Sequence, residues 1–313
     1  MSQSSPPDAS RGRRVGAMIV WIGWVAAAIL TAFGFTAQWI PGAELINDVR
    51  PLLALVVLAL LAGALGLREW RLIRPTAALA VLYAGLLLLP LARAAERASG
   101  APALRLITFA VGTDNERFDE VADFILGGRA DIVLLQEVSC SAAERLIPKL
   151  KPTFASAFVS ADGCAGQAVL AKRPWIAIGQ VIAGARKPLL ISASFQWDKA
   201  MFTLTGASLS GPLAPNTQAA EFARLRGHVG MQGTAQIVAG ALNLTPFAWR
   251  FAQLQNAGLG QHATYLATWP ARWPVLLFDN VLSTEGIASV RVTIGPPLGS
   301  EHRPLIADIA FTK

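Results

Sequence analysis

Residues 130–139 read ADIVLLQEVS, and this stretch decides the fold of the globular part of the chain. Asp131–Val138 is a short apolar run that reads as a strand, and it ends at a carboxylate, Glu137. Upstream, LRLITFAVG at 104–112 alternates as a strand should over Leu104–Val111. Between the two, Phe118, Val121, Ala122 and Ile125 recur at helical spacing within Glu116–Leu126, and Gly127-Gly128 stops the helix. Downstream, strand-like runs recur at Gly166–Ala171, Leu189–Phe195, Phe202–Ala207, Gln236–Ala239, Val275–Leu282, Ser289–Ile294 and Leu305–Phe311. Helices are expected over Thr217–Val229 and Phe247–Ala257. Many strands with fewer interspersed helices predict an α/β sandwich rather than a Rossmann pattern. Residues 104–313 are long enough for one substantial core, and 93–103 (RAAERASGAPA) read as a linker.

The first 92 residues follow other rules. The chain is 53% hydrophobic and 15% charged, with a mean hydropathy of +0.46, and the apolar excess lies at the front. Runs 15–36, 51–67 and 75–92 carry no charge, have lengths near a bilayer span, and lack the polar stripe of a globular helix. They predict three transmembrane α-helices; a cleaved leader over the first run, with Arg13-Arg14 as its basic mark, is the alternative. Arg11, Arg13 and Arg14 before the first run and Arg68, Arg71 and Arg74 between the second and third place those segments in the cytoplasm. Three crossings then put 93–313 on the periplasmic or extracellular side of an inner (plasma) membrane, although Arg93 and Arg97 oppose this. Trp39 and Trp70 sit where interfacial aromatics belong.

The net charge of +7 is not a nucleic-acid signature. Residues 1–100 hold nine Arg/Lys against five Asp/Glu, which membrane topology explains, and residues 101–313 hold eighteen against fifteen. Cys140 and Cys164 leave a disulfide and two buried thiols equally open, and two cysteines with three histidines exclude a zinc cluster. His228 and His262 have no motif around them and read as surface or turn residues. Trp249, Trp269 and Trp273 are expected in core and cleft walls. Asp114 and Asn115, in the loop after the first strand near the site mouth, read as an N-cap for the helix starting near Glu116, with contact to a ligand or a compensating carboxylate as the alternative.

Six segments carry a resemblance: LRLITFAVG, ADIVLLQEVS, FTLTGASLSGP (202–212), IVAGALNLTPFAW (237–249), PVLLFDNVL (274–282) and GSEHRPLIADI (299–309). In order and approximate spacing this set resembles the endonuclease/exonuclease/phosphatase superfamily of divalent-metal phosphoesterases. The resemblance implies two stacked mixed β-sheets flanked by helices, a four-layer sandwich. It aligns Glu137 with the family's metal-binding glutamate, a hard ligand suited to Mg²⁺ or Mn²⁺. His302 matches the histidine that contacts the scissile phosphate, Asp279 the aspartate that orients it, and Asn243 the companion amide of the water-activating aspartate. Glu301, one methylene longer than the usual aspartate, is a weak metal ligand.

Three positions depart from that pattern. Ala110 stands at an asparagine, Ser208 at a phosphate-binding histidine, and Ala241 at the aspartate that positions or deprotonates water. A methyl group neither accepts a proton nor binds metal, and loss of a general base removes roughly 10²–10⁴ in rate. The sequence therefore reads as a membrane-anchored family member with impaired catalysis, whose cleft takes a phosphoester ligand or an envelope protein partner. An active Mg- or Mn-dependent phosphodiesterase or phosphatase with a rearranged site is one alternative, and a structural envelope protein with a vestigial cleft is another.

Overall fold

The structure is a computed structural model that describes residues 8–90, 94–95, 97–160, 164–183, 187–233, 235–262 and 265–312. The chain divides into two compact units, 1–92 and 93–313.

The first unit is helical: α1 (Asp8–Gly34), α2 (Glu44–Asp48), α3 (Arg50–Gly66) and α4 (Trp70–Leu88). Helices α1 and α4 are long and apolar enough to cross a membrane. The third reaches that length only with the bent piece Pro41–Asp48 before it, at 60°. Small residues let the helices pack closely: Ala27, Ala54 and Val57 meet Tyr83, and a Cβ on Gly23 would lie 2.6 Å from Leu60. Their outer faces expose Ile19, Ile22, Ile29, Leu55 and Val81, with Trp39 and Trp70 also exposed. Helix α4 starts five residues before Pro75, so Arg71 and Arg74 are helical rather than in a loop, and residues 91–92 of the expected third run lie outside the described residues.

The second unit is a sandwich of two mixed sheets. In chain order it runs β1 (Leu104–Ala110), α5 (Phe118–Gly127), β2 (Ile132–Val138), α6 (Cys140–Arg145), α7 (Ile147–Leu150), β3 (Ser156–Ser160) and β4 (Gly166–Ala171). It continues with β5 (Ala177–Ala183), β6 (Lys187–Trp197), β7 (Ala200–Ser208), α8 (Pro215–Met231), β8 (Ala235–Ala241), α9 (Trp249–Asn256), β9 (Gly260–Gln261), β10 (Asp279–Ser283), β11 (Ile287–Ile294) and β12 (Leu305–Phe311). The strand orders are β11-β12-β1-β2-β4-β3 and β5-β6-β7-β8-β10-β9. Leu106, Leu134, Val169, Ile191, Leu204 and Ile237 help fill the space between the sheets. Helices α5 and α7 cover one outer face and α8 and α9 the other, giving the four layers expected.

Each sheet holds one parallel pair, β1 with β2 and β7 with β8, and each pair is joined through a helix. Central strands buried on both faces explain the unbroken apolar run in β2. Strands β3, β5 and β9 and the short helices α6 and α7 carried too weak a periodicity to be anticipated. The expected strand at Val275–Leu282 holds only from Asp279. The residues before it turn back in an isolated Trp269–Leu276 bridge, which takes up their backbone hydrogen bonds. Cys140 and Cys164 form a disulfide, their Cα atoms 4.7 Å apart, tying the start of α6 to the approach to β4.

Candidate functional site

The parallel strands set the site. Their carboxyl ends carry Ala110, Glu137, Ser208 and Ala241, the edge where open α/β sheets commonly bind ligands. In the second sheet Ser208, Ala241 and Asp279 form one row across β7, β8 and β10, with Ala241 paired in register to both neighbours. In the first sheet Ala110 pairs with Gln136, one residue before Glu137. Glu137 adopts φ +55° where the β2–β4 register shifts between Gln136 and Val138. A bulge of this kind re-aims a side chain, and Glu137 lines the cleft.

The cleft has a volume of about 350 Å³ and lies between loop 112–115, Glu137 and loop 299–302. At its base His302 Nδ1 is 2.7 Å from Asp279 Oδ2, and both residues are buried. The turn that presents His302 is tied down at two points. The His302 amide donates to Ser300 Oγ at 3.0 Å, and that hydroxyl donates to the Ala110 carbonyl at 2.6 Å. Position 110 thus still anchors the site through its backbone. Gly299, at φ +85°, is required here: a Cβ would stand 2.4 Å from Asn115 Oδ1. Sequence reasoning passed over Ser300 and Gly299; their signal was the GSEHRP segment itself.

Burial works against a charged His302, but Asp279 above all, and then Glu137 and Glu301, more than offset it. Its pKa therefore lies above the ordinary value for histidine. Asp279, Glu137 and Glu301 thus all act on His302. Glu301 is exposed, with Trp269 Nε1 3.5 Å from its carboxylate.

The remaining family-matched positions lie elsewhere. Asn243, at φ +50°, is buried behind the cleft: its Nδ2 donates to the Leu209 carbonyl at 2.7 Å and its carbonyl accepts from Gln218 at 2.8 Å. Ala110 and Ala241 are 0% exposed and Ser208 is buried, so none of the three lines the cleft. Asp114 is an exposed wall residue.

Three expectations need correction. Asn115 is not the N-cap: Arg117 holds that place without a side-chain cap. Asn115 instead clamps its own loop to the neighbouring one, donating to Val111 and Leu298 carbonyls at 2.9 Å each. His262 is buried rather than on the surface: it follows β9 directly, and its amide donates to the Val281 carbonyl of β10 at 2.9 Å; half-buried His228 bonds Ser192 Oγ at 2.7 Å. Trp249, at the start of α9, and Trp273, in the loop before β10, are exposed; Trp269 packs on a core ring, Phe278.

Among the described residues no three His, Cys, Asp or Glu side chains come together in a way that could hold a divalent metal. The described residues therefore do not form a dedicated Mg²⁺ or Mn²⁺ cage. Among the described residues the cleft lining contains three carboxylates and one histidine, and no lysine or arginine.

The model of the Endonuclease/Exonuclease/phosphatase family matches residues 108–302. No curated protein matches the chain. Among solved structures, truncated TDP2 of Caenorhabditis elegans is 16% identical with a TM-score of 0.53, over 67% of this chain and 98% of that one. A Bacteroides thetaiotaomicron protein of the same family description is 12% identical with a TM-score of 0.57, over 67% and 98%. A mannosyl-6-phosphatase from Bacteroides thetaiotaomicron is 11% identical with a TM-score of 0.55, over 66% and 100%. At these identities the likeness is one of fold.

Proposed function

The chain belongs to the endonuclease/exonuclease/phosphatase family, and on that premise we propose that it is a membrane-anchored member with impaired catalysis whose cleft has become a binding site. One observation carries the reading. The row Ser208–Ala241–Asp279 is in register, and its central position is a sealed methyl group. The His302–Asp279 pair beside it is intact, so the scaffold that aims at a phosphoester persists where the group that would activate water is gone. A bare phosphoester entering this cleft meets carboxylates and no guanidinium or ammonium. The lining suits a ligand or envelope partner that presents hydrogen-bond donors or positive charge.

The apolar helices α1, α3 and α4 support the anchor, with residues 93–313 on the outer face. The Cys140–Cys164 disulfide fits the oxidising compartment found there. A second reading, a working metal-dependent phosphoesterase, is favoured by the convergence of Glu137 and Glu301 on His302; two carboxylates can hold hydrated Mg²⁺.

Titrating Mn²⁺ and Mg²⁺ into the detergent-solubilised full chain while following its melting separates the two readings. The binding-site reading expects no melting shift at micromolar metal and none that depends on Glu137. A shift of several degrees at micromolar Mn²⁺ that Glu137→Gln abolishes would establish a working metal site and overturn it.

A further inference from the structure

A second cavity, of about 250 Å³, lies at the edge of the sandwich and shares no lining residue with the cleft. It forms where the segment before β1 crosses the outer strands of both sheets: Ala94 bridges Gln261 of β9, and Arg97 bridges Ser289 of β11. This crossing is built into the fold, since a Cβ on Gly260 would stand 2.8 Å from the Ala95 Cα. The β11 register shifts between Ser289 and Arg291, and consecutive residues Val290 and Arg291 both line the cavity.

The chemistry of the lining is that of an anion site. Arg97 and Arg291, both exposed, line it with no acidic side chain among the described lining residues, and Leu266, Val290 and Val292 supply apolar wall. His262, 6% exposed, lies deeper. Its tautomer follows from its partner. Ser283 Oγ gives its one proton to the Ile287 carbonyl at 3.0 Å, so it must accept from His262 Nε2 at 2.6 Å. Nδ1 is then a lone-pair acceptor, and among the described residues it is buried with no partner. Burial pushes the His262 pKa down to about 4, so the ring stays neutral at pH 7.

We propose that this edge cavity binds a phosphorylated polyol of the glycerol-phosphate type, with Arg97 and Arg291 on the phosphate oxygens and His262 Nδ1 accepting a hydrogen bond from a neighbouring hydroxyl. The planar guanidinium fork matches phosphate geometry. A neutral acceptor nitrogen does not match a deprotonated phosphate oxygen, and it selects a ligand that carries O–H beside the anion. The volume falls below the roughly 300–1,000 Å³ of drug-sized pockets and suits a headgroup-sized molecule. A soluble glycerol phosphate and the glycerol headgroup of an anionic phospholipid share this chemistry. The assignment is independent of whether the cleft retains catalysis.

The test uses the full chain in neutral detergent, titrated calorimetrically with glycerol phosphate, ethyl phosphate and short-chain phosphatidylglycerol. Saturable binding of glycerol phosphate is expected, weakened about tenfold or more by Arg97→Gln/Arg291→Gln, whose exposed side chains are dispensable for folding. Glycerol phosphate should bind about tenfold more tightly than ethyl phosphate, and His262→Leu should erase that preference. Tighter binding of short-chain phosphatidylglycerol than of glycerol phosphate assigns the site to lipid headgroups; the reverse assigns it to soluble phosphates. Absence of saturable binding, or binding that the arginine pair variant leaves unchanged, would overturn the proposal.

Discussion

Replacing Asp279 by asparagine keeps the shape of the side chain and removes the charge that His302 faces. In the native protein the two are buried 2.7 Å apart, and His302 holds its proton to a higher pH than an ordinary histidine. The sign follows from linkage. A histidine whose folded pKa is raised contributes stability that is fully present below its unfolded value and is lost as pH rises through the folded one. A hydrogen bond to a charged group contributes roughly 1.5–3 kcal/mol against 0.5–1.5 for a neutral one, so Asp279→Asn should cost about 1–2 kcal/mol at pH 6. For a unit the size of residues 93–313 that is a melting decrease of about 3–6 °C. As pH rises through the raised folded value the native histidine loses its proton, so the deficit should shrink between pH 6 and pH 9. Melting of the full chain followed by near-ultraviolet circular dichroism at both pH values reads this directly. Equal losses at pH 6 and pH 9, or no loss at pH 6, would refute the assignment of a charged His302–Asp279 pair.

Other consequences follow from the same structure. Because burial holds His262 neutral down to about pH 4, it should remove up to about 3 kcal/mol of stability as pH falls from 6.5 to 4. Denaturant unfolding of His262→Gln should accordingly be flatter over that window than the wild type. Loss of the disulfide in Cys140→Ser/Cys164→Ser, which closes a loop with a sequence separation of 24, should cost about 3 kcal/mol, seen as a lower denaturant midpoint. With both native cysteines paired, an impermeant maleimide should label Leu213→Cys, 88% exposed, in intact cells. It should label Arg71→Cys only after permeabilisation, and the opposite pattern would invert the proposed orientation.

The fold was legible because strands such as β2 and β4 are buried on both faces and write themselves as unbroken apolar runs. Edge strands β3 and β5 were not, since partly exposed residues such as Ala157 and Ile182 blur the period. The residues that meet at the base of the cleft were readable where a motif frames them, as FDNVL frames Asp279 and GSEHRP frames His302. What no local pattern could give was the long-range company they keep. Asn115 reads as a cap from its neighbours, but in three dimensions it bonds Leu298 across the cleft mouth. His262 has no motif, and only the pairing of β9 with β10 shows that it is buried beside Ser283. The in-register row of Ser208, Ala241 and Asp279 likewise depends on strand order, which hydropathy does not encode.

The central claim is that the hydrolase scaffold persists while its water-activating position is lost at Ala241. It is tested most directly by assaying the full chain with Mg²⁺ and Mn²⁺ against a panel of phosphomonoesters and phosphodiesters, alongside Ala110→Asn/Ser208→His/Ala241→Asp and Glu137→Gln. A silent wild type, with metal-dependent turnover appearing in the triple variant, is the predicted result. Wild-type turnover that Glu137→Gln abolishes would contradict it and make the protein a working phosphoesterase.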